Sequence, residues 1–354
     1  MMRGFGIIKK GEVGWMTKPD YVCGENDAIA TPLAISPCSS DVHSAYEIDS
    51  PLLQNLILGH ECCGVITEVG KNVKDFQVGD RVVIPCTTPT WWHPDFQDTV
   101  AQDAGGLYAG INFSISSDGT FADQVLIRSA DLNLAHMPEE LTLEQAVMIS
   151  DMVTTGFHGS ELAEVKYGDS VVVFGIGPVG LMAVAGAALA GAGQLIAVGT
   201  RPNCVELAKE YGATDIVSYK TGDLTEQIMD ITRGRGVDVA IVAGGDTKAV
   251  NAALGVTRPG GNLANLNVFT GIASMEIGYL ESGAGMMGHK TIRGGLCPGG
   301  RRRAERLISM VLAGRVDPGK MITHRFNGLD HIEEAFQLMV NKPRDLIKPI
   351  VYID

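Results

Sequence analysis

The chain is short of positive charge. Its 28 Lys and Arg face 41 Asp and Glu, for a net charge of −13, which argues against a general nucleic-acid binder. The one dense basic run, Arg301-Arg302-Arg303, opens an apolar-periodic helix and reads as a solvated helix face or a subunit contact. No run of about 18 apolar residues is present, so no membrane-spanning helix is expected. No N-terminal stretch joins a basic start, an apolar core and a small-residue cleavage site, and the expectation is a soluble, cytoplasmic protein. Cysteine builds no framework. Seven residues are scattered at positions 23, 38, 62, 63, 86, 204 and 297, an odd set that suits a reducing compartment better than a disulfide scaffold. Internal repeats and low-complexity tracts are absent.

What is present is the composition of a folded globular protein, 45% hydrophobic and 19% charged, with 44 glycines for tight turns. A single core rarely grows beyond roughly 250–300 residues, so 354 residues predict two domains. Texture divides the chain into three regions. Residues 1–153 hold short strand-like runs broken by Gly, Pro and Asp, and read as mainly β. Residues 154–296 alternate: strands over 171–174, 195–198, 215–219, 237–242 and 262–267, with helices over 178–189, 205–211, 224–232 and 248–257. That alternation implies an α/β, doubly wound parallel sheet. Residues 297–354 return to mixed structure, with amphipathic helices over 304–312 and 332–339 and a closing strand over 347–353. A nucleotide-binding domain is thus expected as an insertion between two segments of another.

Gly175-Ile176-Gly177-Pro178-Val179-Gly180 fits G-x-G-x-x-G directly after an apolar strand and at the start of a helix, the context that dinucleotide binding requires. The first glycine turns the chain, the second admits the pyrophosphate, and the third lets helix pack on strand. NAD-binding folds put a carboxylate at the end of the next strand, on the ribose. This chain has Val198-Gly199-Thr200-Arg201-Pro202 there instead. Gly199 leaves room, Thr200 offers a hydroxyl and Arg201 suits a 2′-phosphate, so NADP(H) is expected over NAD. Tyr219 is a candidate to cover the adenine or the phosphate.

Gly59-His60-Glu61-Cys62-Cys63-Gly64, followed by Gly70, fits G-H-E-x2-G-x5-G. On that motif, and over nearly the whole length from Pro37-Cys38 onward, the chain resembles the zinc-dependent medium-chain alcohol dehydrogenases. The stretches 150–159 and 294–301 resemble in particular the NADP-dependent secondary-alcohol dehydrogenases of anaerobic bacteria and amoebae. The resemblance implies a Rossmann domain inserted in a GroES-like catalytic domain. It implies a catalytic zinc held by Cys38, His60 and Asp151, with Glu61 a further carboxylate within reach of the metal and one position left for water or substrate. It also implies that Ser40 accepts the alcohol proton and that the proton leaves through the ribose toward His43. Asp41 is expected to orient the loop, and His158 stays between a direct and a structural role. Cys62 and Cys63 read as core filler. Only Cys86 lies in the region where relatives carry four cysteines on a structural zinc, so one Zn2+ per subunit is expected. A homotetramer, with Met287 reaching a neighbouring site, follows from resemblance alone.

The implied activity is reversible oxidation of secondary, and some primary, alcohols to ketones or aldehydes, in a pocket between the domains. Relatives carry a Trp where Ile111 stands and a Tyr where Val268 stands, which predicts a roomier pocket here. Cys86, Leu296 and Cys297 are further wall candidates. The rival readings are an NAD(P)-linked zinc polyol or diol dehydrogenase, a zinc-free quinone or enone reductase of the same fold, and a non-catalytic NADPH-binding protein. The first wants an acidic residue after the second strand, and the other two want broken ligands.

Overall fold

The computed structural model describes residues 1–89, 112–268, 275 and 286–353. Ile111 and the Met287 side chain lie outside the described residues. The chain forms two compact units, Met1–Thr154 with Leu296–Asp354, and Thr155–Gly295.

The first unit is built on a seven-stranded sheet in the order Ile322–Asn327, Lys348–Tyr352, Ala28–Ser36, Glu61–Val69, Arg81–Ile84 and Ala135–His136, with Val125–Ile127 paired to Ala28–Ser36 off that path. A smaller sheet joins Glu12–Lys18, Met2–Lys9 and Leu56–Ile57. Phe5, Ile35, Ile66, Phe121, Phe336 and Val351 share one core, which ties the first strands to the last. Register matters more here than strand length. Ser36 faces Glu61, Cys62 faces Ile84, and Val351 faces Ile35, so the chain entering or leaving these four strands gathers at one end of the sheet. That end carries Pro37-Cys38, Gly59-His60, Pro85-Cys86 and Lys348.

The first segment is not β throughout. A helix at Ser39–Tyr46 follows Cys38, and a helix at Leu143–Met148 runs through a π-helical stretch, Ile149–Val153, into Thr154–Leu162. Thr142 starts the second of these with a capping box, its Oγ1 accepting from Gln145 N while Gln145 accepts from Thr142 N, both at 3.2 Å.

In the second unit six parallel strands lie in the order Asp215–Val217, Gln194–Val198, Ser170–Phe174, Val237–Val242, Thr257–Asn265 and Thr291–Gly294. Numbered within the unit, that is 3-2-1-4-5-6, the order of a dinucleotide-binding sheet. Ser170–Phe174, Gln194–Val198 and Val237–Val242, inner strands of the sheet, read as largely apolar runs, as suits strands covered on both faces. The expected doubly wound sheet is therefore the one found. Two details differ. The fifth strand starts at Thr257, not 262, because a bulge against Val237–Val239 absorbs Arg258 to Gly261. The sixth strand, only four residues of sequence TIRG, carries no apolar run to betray it.

The basic run does not form one solvated face. Arg301 bonds Asp75 at 2.5 Å and Glu305 at 2.7 Å, and its guanidinium lies 5.2 Å from the centre of the Phe76 ring. Arg303 donates to Thr154 Oγ1 at 3.0 Å. Neighbouring helix residues point about 100° apart, so a run of three cannot share one solvated face. Among the described residues no helix is long and apolar enough to cross a membrane.

Candidate active site

Four potential metal ligands converge at the gathered end of the sheet. The donor atoms of Cys38, His60, Glu61 and Asp151 all lie within 4.8 Å of one another. Cys38 occupies the N-cap of Ser39–Tyr46, His60 directly precedes its strand, and Asp151 sits in the π-helical stretch, a distortion often found at functional sites. Asp151 Oδ2 is 4.0 Å from Cys38 Sγ and 3.4 Å from His60 Nε2. Donors held roughly 2.0–2.3 Å from a tetrahedral zinc stand about 3.3–3.8 Å apart, so this spacing and this thiolate, imidazole and carboxylate set fit the ion.

Asp41 is the brace of the site. Almost fully buried, it accepts from Cys38 N at 2.8 Å and from Gly59 N at 3.1 Å, and its Oδ1 lies 3.3 Å from His60 Nδ1. A carboxylate on one ring nitrogen turns the other, Nε2, toward the metal ligands. Gly59 meets this demand at φ +96°, where a side chain would also strike Phe121. Burial pushes the His60 pKa down, but Asp41 and hydrogen bonds to Asp151 and Cys38 hold it well above its ordinary value. The cluster is thus a place that favours positive charge.

Glu61 carries a second device. Its Oε1 takes the Lys348 ammonium at 2.5 Å, and the same ammonium donates to Pro37 O at 2.7 Å. Both side chains are essentially inaccessible to solvent. Burial pushes the Glu61 carboxyl above the ordinary carboxylate range against the pull of Lys348. Burial also works against the Lys348 charge, and Glu61 and Cys38 hold it in place. The other oxygen, Oε2, is buried without a hydrogen-bond partner, a lone acceptor beside the ligand cluster. Sequence reading missed Lys348. Its only trace is a lysine inside the apolar run of the final strand.

Ser40 Oγ lies 3.3 Å from His60 Nε2, on the edge of the cluster. His43 follows three residues later on the same helix, with Nδ1 2.8 Å from Glu47. Cys62 and Cys63 are fully buried in the sheet. Cys86 and Cys297 meet beside Asp151, next to the half-buried Leu296. His158 bonds Glu161 at 3.1 Å and belongs to the second unit. Val268, also in the second unit, is 59% exposed.

In that unit Gly175 follows the first strand at φ +84°, and a Cβ on Gly180 would run into the Gly175 carbonyl oxygen. Pro178 and Val179 start the helix Pro178–Ala190 behind the N-cap Gly177, leaving its first N–H groups toward the turn. A Cβ on Gly177 would lie 3.8 Å from the Arg201 guanidinium, which puts that cation by the turn. Thr200 Oγ1 donates to Tyr219 OH at 2.8 Å, and a side chain at Gly199 would strike Ile176. Thr200, Arg201 and Tyr219 thus meet at the ends of neighbouring strands. A glycine turn, a helix N-terminus facing it and an arginine in a strand-end stretch, 198–202, that contains no Asp or Glu fit a dinucleotide with an extra phosphate.

The family described as alcohol dehydrogenase GroES-like domain matches residues 24–139, and that described as zinc-binding dehydrogenase matches 178–313. The chain is 53% identical to an NADP-dependent isopropanol dehydrogenase of Thermoanaerobacter brockii, over 99% of this chain and 100% of that protein. It is 47% identical to one of Entamoeba histolytica, over 99% of this chain and 96% of that protein. Among solved structures, the apo form of zinc-dependent alcohol dehydrogenase 2 from Streptococcus pneumonia superposes with a TM-score of 0.89 at 28% identity, covering 100% of this chain and 99% of that one. Motif, fold, ligand cluster and full-length similarity agree, and the chain belongs to the zinc-dependent medium-chain alcohol dehydrogenase family.

Proposed function

We propose that the chain is an NADP-linked secondary-alcohol dehydrogenase with one catalytic zinc per subunit. Cys38, His60 and Asp151 hold the ion, and Glu61 is a further carboxylate within reach. The observation that carries the reading is the convergence of these donors around an inward-facing imidazole. A metal held there supplies Lewis-acid polarisation of the substrate oxygen, and NADP supplies the hydride acceptor.

The remaining work falls to side chains. Asp41 fixes the His60 ring and the backbone of Cys38. Ser40 Oγ takes up the substrate's hydroxyl proton, and His43, one helical turn away with a side chain 35% exposed, passes it toward solvent. Cys86, Leu296 and Cys297 bound the substrate on the Asp151 side. In the second unit the backbone of Gly175, Gly177, Pro178, Val179 and Gly180 receives the pyrophosphate, while Thr200 and Arg201 bind the 2′-phosphate. The missing carboxylate after Val198 weighs against the polyol alternative.

Cysteines 23, 38, 62, 63, 86, 204 and 297 leave no four-cysteine set for a structural zinc. All seven are free thiols, which supports a reducing, cytoplasmic setting. A homotetramer is proposed from family resemblance and is checked by light scattering on the purified protein.

The test is a cofactor-reduction assay with 2-propanol and longer secondary alcohols, run with NADP and NAD side by side, together with metal analysis. The expected result is NADP preference, one zinc per chain, and loss of turnover in Cys38→Ala and His60→Ala. Metal-free protein with full activity, or full activity in both variants, overturns the proposal.

A further inference from the structure

Asp151 turns its Oδ2 to Cys38 and His60 in the catalytic cluster. Its Oδ1 lies 3.6 Å from Cys86 Sγ. Cys86 Sγ is in turn 3.5 Å from Cys297 Sγ. Thr87 Oγ1 completes the group, 3.5 Å from Cys297 Sγ and 3.7 Å from Cys86 Sγ. We propose that Cys86, Cys297 and Asp151, with the Thr87 hydroxyl, form a second cation site for a soft divalent ion, filled from excess Zn2+ or Cd2+ and inhibitory to turnover.

The spacing supports this. Sulfur donors about 2.3 Å from a tetrahedral ion stand roughly 3.8 Å apart, and a sulfur and an oxygen about 3.5 Å apart. The observed separations, 3.5 Å between the two sulfurs and 3.6 Å from Cys86 Sγ to Asp151 Oδ1, lie close to these. Two thiolates select zinc or cadmium over hard ions such as calcium or magnesium. Charge balances as well: the two thiol protons leave, and two thiolates neutralise one divalent ion. The carboxylate is then shared, with Oδ2 toward Cys38 and His60 and Oδ1 toward the thiol pair.

The segments that carry these donors are tied together by other bonds. Cys86 N donates to Ser150 O at 2.9 Å, beside Asp151. Thr87 Oγ1 donates to Cys297 O at 3.2 Å, and Gly300 N to Thr87 O at 3.2 Å. A Cβ on Gly299 would collide with Thr87, so the two chains already touch at the backbone. The backbone that carries the donors is therefore already held in place. The site escapes a motif search because its cysteines are 211 residues apart. Inhibition follows because the ion stands where the substrate wall is proposed, and it draws on a carboxylate the catalytic zinc uses. The inference rests on the proposed function through Asp151 and through the substrate wall proposed at Cys86 and Cys297.

The experiment titrates zinc-loaded enzyme with CdCl2. It reads bound zinc and cadmium by elemental analysis, the ultraviolet thiolate-to-cadmium band, and alcohol oxidation. The expected result is one cadmium gained per chain with the zinc retained, a new thiolate band, and falling activity. Cys86→Ser and Cys297→Ser each weaken that uptake roughly tenfold or more. Cadmium that enters only as zinc leaves, or affinity unchanged in both variants, overturns the inference. The unmutated enzyme decides alone if either variant folds poorly, since failure to gain cadmium above its zinc is refutation enough. Cadmium uptake by the thiol pair in a chain that binds no zinc and oxidises no alcohol strikes the proposed function and leaves this site standing.

Discussion

Replacing Lys348 with Met should unseat the catalytic end of the sheet. The ammonium is fully buried, 2.5 Å from Glu61 Oε1 and 2.7 Å from Pro37 O. At an effective dielectric of about 20, two charges 2.5 Å apart attract by about 7 kcal/mol, most of it offset by the cost of taking both from water. Lys348→Met removes the attraction and leaves the cost, because Glu61 stays buried and its Oε2 already lacks a partner. Losing one partner of such a pair costs about 3–5 kcal/mol. The assay is urea unfolding of zinc-saturated protein, comparing Lys348→Met, Glu61→Gln and the double variant. Lys348→Met should fall by that amount and the double variant should recover most of it, because no charge is then stranded. The reasoning is refuted if Lys348→Met costs less than about 1 kcal/mol, or if the double variant is no more stable than the single one.

Asp41→Asn keeps the shape of the brace but weakens its hold on His60 Nδ1, and zinc affinity should drop roughly 10–100-fold in a chelator competition, with the fold unchanged by circular dichroism. Arg201→Ala should lower kcat/KM for NADP by about 10–100-fold, the worth of a charge-assisted phosphate contact, while kcat/KM for NAD changes little; equal losses for both would sink the assignment. Asp238 accepts from Ser170 N at 2.8 Å and from Arg258 Nε at 2.5 Å. Burial works against its charge, but these bonds hold its pKa down at about 2 from an ordinary 3.8. A depressed carboxylate stabilises the fold above its unfolded pKa, so the contribution, about 2 kcal/mol, is intact above roughly pH 4 and lost as pH falls toward 2. Asp238→Asn should flatten the acid limb of the stability curve in that window, as followed by urea unfolding at successive pH values.

The parts of the fold that sequence disclosed are those whose physics is local. A strand covered on both faces must be apolar along its length, as Val171 to Phe174 is, and a phosphate turn must place glycines at fixed offsets. The Arg258 to Gly261 bulge and the strand Thr291–Gly294 obey no such local demand. Their pairing is imposed by the neighbouring strand, and nothing in four residues of mixed character announces it.

The same division runs through the catalytic cluster. His60 and Glu61 were legible because they sit in one motif, and Cys38 and Asp151 because family likeness pointed to them. What holds those ligands was legible only in part: Asp41 was expected to orient its loop, but neither its partners nor Lys348 could be named. Asp41 reaches Gly59 and His60 across sequence separations of 18 and 19 residues, and Lys348 reaches Glu61 across 287. These contacts are products of register: Ser36 opposite Glu61 and Val351 opposite Ile35 bring the end of the chain beside its beginning. Shift either ladder by one residue and every side chain on that strand changes face, so the Lys348–Glu61 pair would be lost while each motif stayed intact. A variant that slips the last strand, such as insertion of one residue after Leu346, should therefore lose in urea unfolding at least the stability that Lys348→Met loses, in a chain whose zinc ligands are all still present.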